Sequence, residues 1–324
     1  MLDLLVVGAG PTGISIGAEA RKAGLSVLLV DRGGLTAAIQ GYPTFLEFFT
    51  TRDRLEIAGI PFATPEDKPT RRQALAYYRG VVAHFGIPLA LGEEVVVARP
   101  CDDGTFEIES KKGGEARYRR ARAVALATGY FGDPVRLGVP GDELPHVSYR
   151  YLEPYGHYAQ DVVLVGAGNS AVEAALDLWR NGARVTLVHR RATVKSGIKY
   201  WLKPDIENRI EEGSISACFE STVTAFRTGW VDLQTAAGPR SIPADAVYVL
   251  VGYRPDADLE RRCGIAVAAD TLIPSYDPTT CETNVPGLYV AGTIQAGKAT
   301  DKIFIENSRD HGPKIVTHLR RRLG

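Results

Sequence analysis

One local pattern occurs twice in the sequence and fixes most of what the chain can fold into. A short apolar run at residues 3–7 leads into Gly8-Ala9-Gly10-Pro11-Thr12-Gly13 and then into a small-residue helical stretch at 14–23. Gly24 closes that stretch and residues 26–30 form a second apolar run, so 3–31 reads as one strand–helix–strand unit. Residues 161–165, the turn Gly166-Ala167-Gly168-Asn169-Ser170-Ala171, the helical stretch 172–180, Gly182 and the strand 183–188 repeat it. A lone glycine turn is weak evidence; a strand before it and a helix after it give it a physical role. The first glycine permits the tight turn, the second lets the backbone approach a pyrophosphate, and the third lets helix and strand pack closely. Free N–H groups at the helix N-terminus then face the anion. Two such units predict two dinucleotide sites.

The residue ending each second strand meets the adenine-side ribose and tells the sites apart. Asp31 stands 23 positions after Gly8. A carboxylate accepts hydrogen bonds from a ribose diol and repels a 2′-phosphate. At the same spacing from Gly166 stands His189, followed by Arg190 and Arg191. Two guanidinium groups suit a phosphate. The first site therefore takes a nucleotide with a free ribose, and the second takes NADP(H).

Between the units the pattern predicts a helix at 71–85 and short strands at 94–98, 105–109 and 117–120, with Lys111-Lys112-Gly113-Gly114 as a hairpin turn. These suit a small antiparallel layer covering a parallel sheet. A further strand at 124–127 ends in Ala127-Thr128-Gly129, and Gly132-Asp133-Pro134 and Val251-Gly252-Tyr253-Arg254-Pro255 read as linkers. The expected fold is α/β, with two Rossmann-like dinucleotide-binding domains. The second, at 131–252, is inserted in a discontinuous first domain made of 1–130 and 253–324.

Lys plus Arg and Asp plus Glu both total 38, so no net field draws the protein to nucleic acid or an anionic membrane. With 45% hydrophobic residues the chain can bury two cores, yet no stretch reaches the roughly 18–20 apolar residues a membrane span needs. The N-terminal residues enter a strand-like run at once, without an export signal, and predict a cytoplasmic protein. Cys101, Cys218, Cys263 and Cys281 are far apart, with no C-x-x-C and no metal-ligand spacing.

Asp31, Ala127-Thr128-Gly129 and the segment 283–292 (TNVPGLYVAG) resemble the three FAD segments of the two-dinucleotide-binding-domain flavoproteins. The inserted unit with His189-Arg190-Arg191 resembles the low-molecular-weight thioredoxin reductase branch. Within it the sequence is most similar to the bacillithiol disulfide reductase family, over the whole chain. The more specific matches are Gly41-Tyr42-Pro43-Thr44, Phe48-Phe49, Leu55-Glu56-Ile57, Pro61-Phe62, Gln73-Ala74-Leu75-Ala76-Tyr77-Tyr78 and Ile303-Phe304-Ile305-Glu306-Asn307. The resemblance implies hydride transfer from NADPH to FAD and on to an acceptor, in a homodimer or higher homo-oligomer. It implies FAD contacts at Gly8, Gly10, Pro11, Thr12, Gly13, Asp31, Tyr42, Ala127, Thr128, Gly129, Gly292, Thr293 and Ile303. It implies NADPH contacts at Gly166, Gly168, Asn169, Ser170, Ala171, His189, Arg190 and Arg191. It also implies a helix starting within 302–307 whose positive end faces the pyrimidine side of the flavin.

The acceptor is less constrained, and the sequence assigns no catalytic residue. Thioredoxin reductases carry a C-x-x-C ahead of the second glycine turn, whereas residues 149–158 here contain no cysteine. The bacillithiol disulfide reductases commonly place a cysteine in the first glycine turn, at the position held here by Thr12, and a hydroxyl cannot exchange with a disulfide. Where that family's relatives often have Gly-Asp, this chain has Gly292-Thr293. The resemblance implies a low-molecular-weight disulfide, bacillithiol disulfide, as acceptor. The alternatives are a small redox protein, as in thioredoxin reductase-like ferredoxin or flavodoxin NADP reductases, and a non-catalytic NADPH sensor.

Overall fold

The computed structural model describes residues 1–132, 134–253, 255, 257–300 and 302–324. The chain divides into two compact units: Met1–Gly41 with Leu46–Asp133 and Arg254–Gly324, and Pro134–Tyr253 with Tyr42–Phe45. The linker residues Asp133 and Arg254 lie outside the described residues.

The first unit is built on a seven-stranded sheet. Its spatial order is Leu89–Leu91, Val27–Asp31, Leu2–Val7, Glu115–Leu126, Phe106–Lys112 and Glu94–Pro100, with Leu288–Val290 also paired to Glu115–Leu126. Leu2–Val7 pairs in parallel with Val27–Asp31 on one side and with the end of Glu115–Leu126 on the other. Strands covered on both faces read as continuous apolar runs, and Leu4, Leu5, Val6, Val124, Ala125 and Leu126 are all buried. The helix Pro11–Lys22 buries Ile14, Ile16, Ala18 and Ala20.

One strand differs from expectation. The segments at 117–120 and 124–127 are a single twelve-residue strand, Glu115–Leu126. Its first half pairs antiparallel with Phe106–Lys112 and is largely exposed, and its second half is a buried parallel strand. The change of environment within one strand converts a charged pattern into an apolar one, which reads as two elements. Gly113 and Gly114, both with positive φ (59° and 87°), form the turn before it.

The second unit has a five-stranded parallel sheet ordered Ser216–Cys218, Arg184–Val188, Asp161–Val165, Ala246–Val249 and Val147–Ser148. A separate antiparallel sheet comprises Thr222–Arg227, Gly229–Thr235 and Gly238–Ala244. The helix Asn169–Arg180 covers the parallel sheet with Val172, Ala175, Leu176 and Leu178. The segment Tyr42–Phe45 belongs to this unit and not to the first, which corrects the expected boundary. The Thr44 N–H donates to the Leu152 carbonyl at 2.8 Å, and the Phe45 ring meets Tyr155 edge-on at 5.7 Å. Among the described residues no helix is long and apolar enough to cross a membrane.

Candidate functional site

In the first unit the strand Leu2–Val7 delivers Gly8 at φ 114° into the turn. A side chain on Gly8 would collide with the Ala127 carbonyl, and one on Gly13 with the Gly8 carbonyl, so both positions are closed to anything larger than hydrogen. Gly10 is the opposite case, with no atom within 4 Å of where a Cβ would stand. That open space lies before Pro11, the first residue of the helix, where a missing N–H costs nothing.

Asp31 ties this turn together. One carboxylate oxygen accepts the Ala9 N–H and the other the Gly33 N–H, each at 2.7 Å. The Asp31 carbonyl accepts the Glu93 N–H at 2.9 Å. The Glu93 carboxylate is fully buried and paired with Arg119. Burial opposes its charge, but hydrogen bonds from Arg119 and Ser110 hold it below the ordinary carboxylate range. Gly8, Asp31, Arg32, Thr128, Gly129 and Arg262 line one cleft beside the turn.

Gly292 joins the same region. Its φ is 76°, and a Cβ there would lie 2.9 Å from the Thr12 hydroxyl oxygen. The Gly292 N–H donates to Nδ1 of His311 at 3.0 Å. Burial, with Lys314 adding to it, pushes His311 down to about 4, so its ring is a neutral acceptor. Nothing in the nucleotide motifs signals His311. Thr12 shares a hydrogen bond of 3.1 Å with Ser308, and Gly129 lies against Thr293.

The helix expected to start within 302–307 starts at Ile305; it is a single turn, Ile305–Ser308, followed by a separate helix, His311–Leu323. Pro313 in the first turn of the second helix lacks the N–H needed to continue the first and would clash with the carbonyl four residues back. One turn carries little macrodipole, so the electrostatic argument for that helix end loses its basis. Ile303 is half-buried beside this turn. Tyr42 falls in the second unit.

In the second unit Gly166 has φ 127° and a Cβ there would collide with the Leu250 carbonyl. Gly168 is open to all but Lys195, whose Nζ lies 3.8 Å from its would-be Cβ. Ala171 is buried and Ser170 exposed. At the end of Arg184–Val188, His189 is buried with its Nε2 lacking a hydrogen-bond partner. Burial first, then Lys195, Arg190 and Arg191, depress its pKa. Arg190, Arg191 and Lys195 are themselves exposed. The cationic edge therefore has three members. Lys195 was legible only as a further basic residue four positions past Arg191.

All four cysteines are free thiols. Cys218, Cys263 and Cys281 are buried, and burial raises the thiols of Cys263 and Cys281 above their ordinary value. Neither of these two is thereby poised as a thiolate. The donor set fits two dinucleotides: each unit offers an open second glycine at a helix start, one beside a carboxylate and one beside cations.

Comparison with known proteins agrees with this geometry. The model of the pyridine nucleotide-disulphide oxidoreductase family matches residues 5–292. The bacilliredoxin reductase Bdr of Bacillus subtilis (strain 168) is 35% identical over 98% of this chain and 97% of its own length. A ferredoxin–NADP reductase of Ignicoccus hospitalis is 25% identical over 91% of this chain and 90% of its own length. Among solved structures, the bacillithiol disulfide reductase Bdr (YpdA) from Bacillus cereus superimposes with a TM-score of 0.95 at 33% identity, covering 99% of each chain.

Proposed function

The chain belongs to the pyridine nucleotide-disulphide oxidoreductase family, and from that premise we propose that it reduces a low-molecular-weight disulfide, bacillithiol disulfide, at the expense of NADPH. It is an oxidoreductase whose cofactors are FAD and NADPH. Bound FAD supplies the two-electron relay between NADPH and the acceptor. The rest falls to the chain.

In this reading Gly8, Gly10 and Gly13 with the start of Pro11–Lys22 hold the FAD pyrophosphate, and Asp31 holds its ribose. Gly166, Gly168 and Ala171 do the same for NADPH, with Arg190 and Arg191 on the 2′-phosphate. Thr12 presents a hydroxyl hydrogen-bonded to Ser308, which cannot exchange with a disulfide, and in this reading the disulfide is reduced with no enzyme sulfur bonded to it. The balance is NADPH, a proton and one disulfide to NADP⁺ and two thiols. The enzyme works in the cytoplasm as a homodimer or higher homo-oligomer, without nucleic acid or membrane.

The observation that carries this reading is whole-length likeness to a structure named for that activity, 33% identity over 99% of the chain with a TM-score of 0.95. The test is NADPH oxidation on addition of bacillithiol disulfide to the purified flavoprotein. Two thiols appearing per NADPH is the expected result, and no turnover defeats it. Thr12 and the relative in Ignicoccus hospitalis favour one second reading, a ferredoxin or flavodoxin reductase. Turnover with ferredoxin and none with the disulfide would establish it instead.

A further inference from the structure

The segment after the one-turn helix Ile305–Ser308 is fastened to the helix of the first glycine turn. Thr12 shares its 3.1 Å hydrogen bond with Ser308, and Ser15 Oγ donates to the Arg309 carbonyl at 2.9 Å. Gly312 lies flat on Ser15, where a Cβ would stand 2.7–2.9 Å from side-chain and backbone atoms. These contacts set the start of the helix His311–Leu323, and with it the His311 ring, in the interior of the first unit.

Gly292 uses what that ring offers. The strand Leu288–Val290 pairs with Glu115–Leu126, and the Ala291 N–H still reaches the Leu126 carbonyl at 2.8 Å. At Gly292 the chain turns to φ 76° and leaves the sheet, and its N–H goes to Nδ1 of His311 at 3.0 Å. A backbone N–H only donates, so Nδ1 carries a lone pair and the ring proton sits on Nε2. The next residue, Thr293, lays its hydroxyl against Gly129, 3.6 Å from where a Cβ would stand. A hydroxyl offers a neutral contact where a carboxylate would offer a charged one, so the placement of this turn counts for more.

We propose that His311 is a positioning residue for the flavin: its Nδ1 lone pair fixes the Gly292 N–H and so holds Gly292 and Thr293 where they meet bound FAD. The inference rests on the reading that the first unit binds FAD through that turn. The side chain acts through the turn, so its loss is felt in FAD retention.

The test is FAD dissociation from the full-length flavoprotein, read as recovery of free-flavin fluorescence on dilution, with the urea midpoint measured in parallel. His311→Leu leaves the Gly292 N–H without its acceptor and is expected to raise the FAD Kd about tenfold. His311→Gln, whose acceptor extends to the place of Nε2, should do the same. His311→Asn puts Oδ1 in the place of Nδ1 and should bring the Kd back to within about twofold of the native protein. Leu319→Ala is the comparison for a merely structural role: buried further along the same helix, it should lower the urea midpoint at least as far while the FAD Kd stays put. If His311→Leu is not recovered folded, Gln against Asn decides alone. Asn no better than Gln, or FAD loss that follows the urea midpoint through all variants including Leu319→Ala, overturns the inference. Asp31→Ala separates the two levels. Full FAD retention in that variant removes the assignment of FAD to this unit and the inference with it, whereas weakened retention there beside native retention in His311→Leu overturns the inference alone.

Discussion

The two glycine turns share a backbone plan and differ at the third motif position and at the end of the following strand. In the first, the third glycine, Gly13, faces the Gly8 carbonyl with no room for a methyl group. In the second, Ala171 occupies that place and is buried without strain. At the strand end, Asp31 engages both carboxylate oxygens with the N–H groups of Ala9 and Gly33. His189 at the matching place has a buried ring nitrogen with no partner, among three cations. The first turn is thus braced by its own acid. The second is left electropositive.

The largest effect should come from erasing the steric difference. Gly13→Ala is expected to cost several kcal/mol, at or beyond the usual overpacking range of about 1–3 kcal/mol, because the clash is with backbone. Flavin absorbance per protein and the urea midpoint measure it, and a fully flavinated, undiminished variant would break the comparison.

Charge comes next. Replacing Arg190 and Arg191 together with alanine should raise KM for NADPH about a hundredfold, from roughly 1.5 kcal/mol per charged hydrogen bond. KM for NADH should stay put. Steady-state kinetics with both coenzymes decide the point, and equal losses would remove the assignment of the 2′-phosphate.

A comparable effect is expected at acid pH in the first unit. His311 titrates at about 4 in the folded protein and near its ordinary 6.5 when unfolded. The unfolded state therefore binds the extra proton, and stability should fall as pH drops from about 6.5 to about 4. The full amount is on the order of 3 kcal/mol. Urea midpoints across that range, compared between the native protein and His311→Gln, isolate it. Parallel curves would show that His311 contributes nothing.

The smallest effect belongs to Ala171→Gly, about 1 kcal/mol of helix propensity with NADP⁺ binding retained. Differential scanning calorimetry with and without NADP⁺ would read both quantities. A collapse of the unit would mean that the third position is as tightly constrained there as in the first turn.

Much of this asymmetry was legible beforehand because it is local. Asp31 and His189 lie at a fixed spacing from their glycines, and the helix Arg71–Phe85 falls where its residues predict it, set by a capping box between Thr70 and Gln73 and by Gly86 in the left-handed region. What escaped depends on tertiary context. The strand Glu115–Leu126 passes from solvent into the core partway along, so no single period describes it. The one-turn helix Ile305–Ser308 is cut short by Pro313. His311 acts only through its contact with Gly292, and Lys195 only through a strap that folds back onto the turn. The segment 41–44 carries a family resemblance, yet Thr44 finds its hydrogen-bond partner, Leu152, more than a hundred positions away.

The first turn bears most directly on chemistry, since Thr12 stands within it beside Gly292 and Ser308. The most direct measurement is a single turnover: the flavoprotein is reduced anaerobically with one equivalent of NADPH, and bacillithiol disulfide is then added while flavin absorbance and intact protein mass are followed. The account predicts full flavin reoxidation, two thiols released per flavin, and no mass increment on the protein. Flavin that stays reduced with the disulfide and reoxidises only with ferredoxin, or a bacillithiol adduct on the enzyme during turnover, would contradict it.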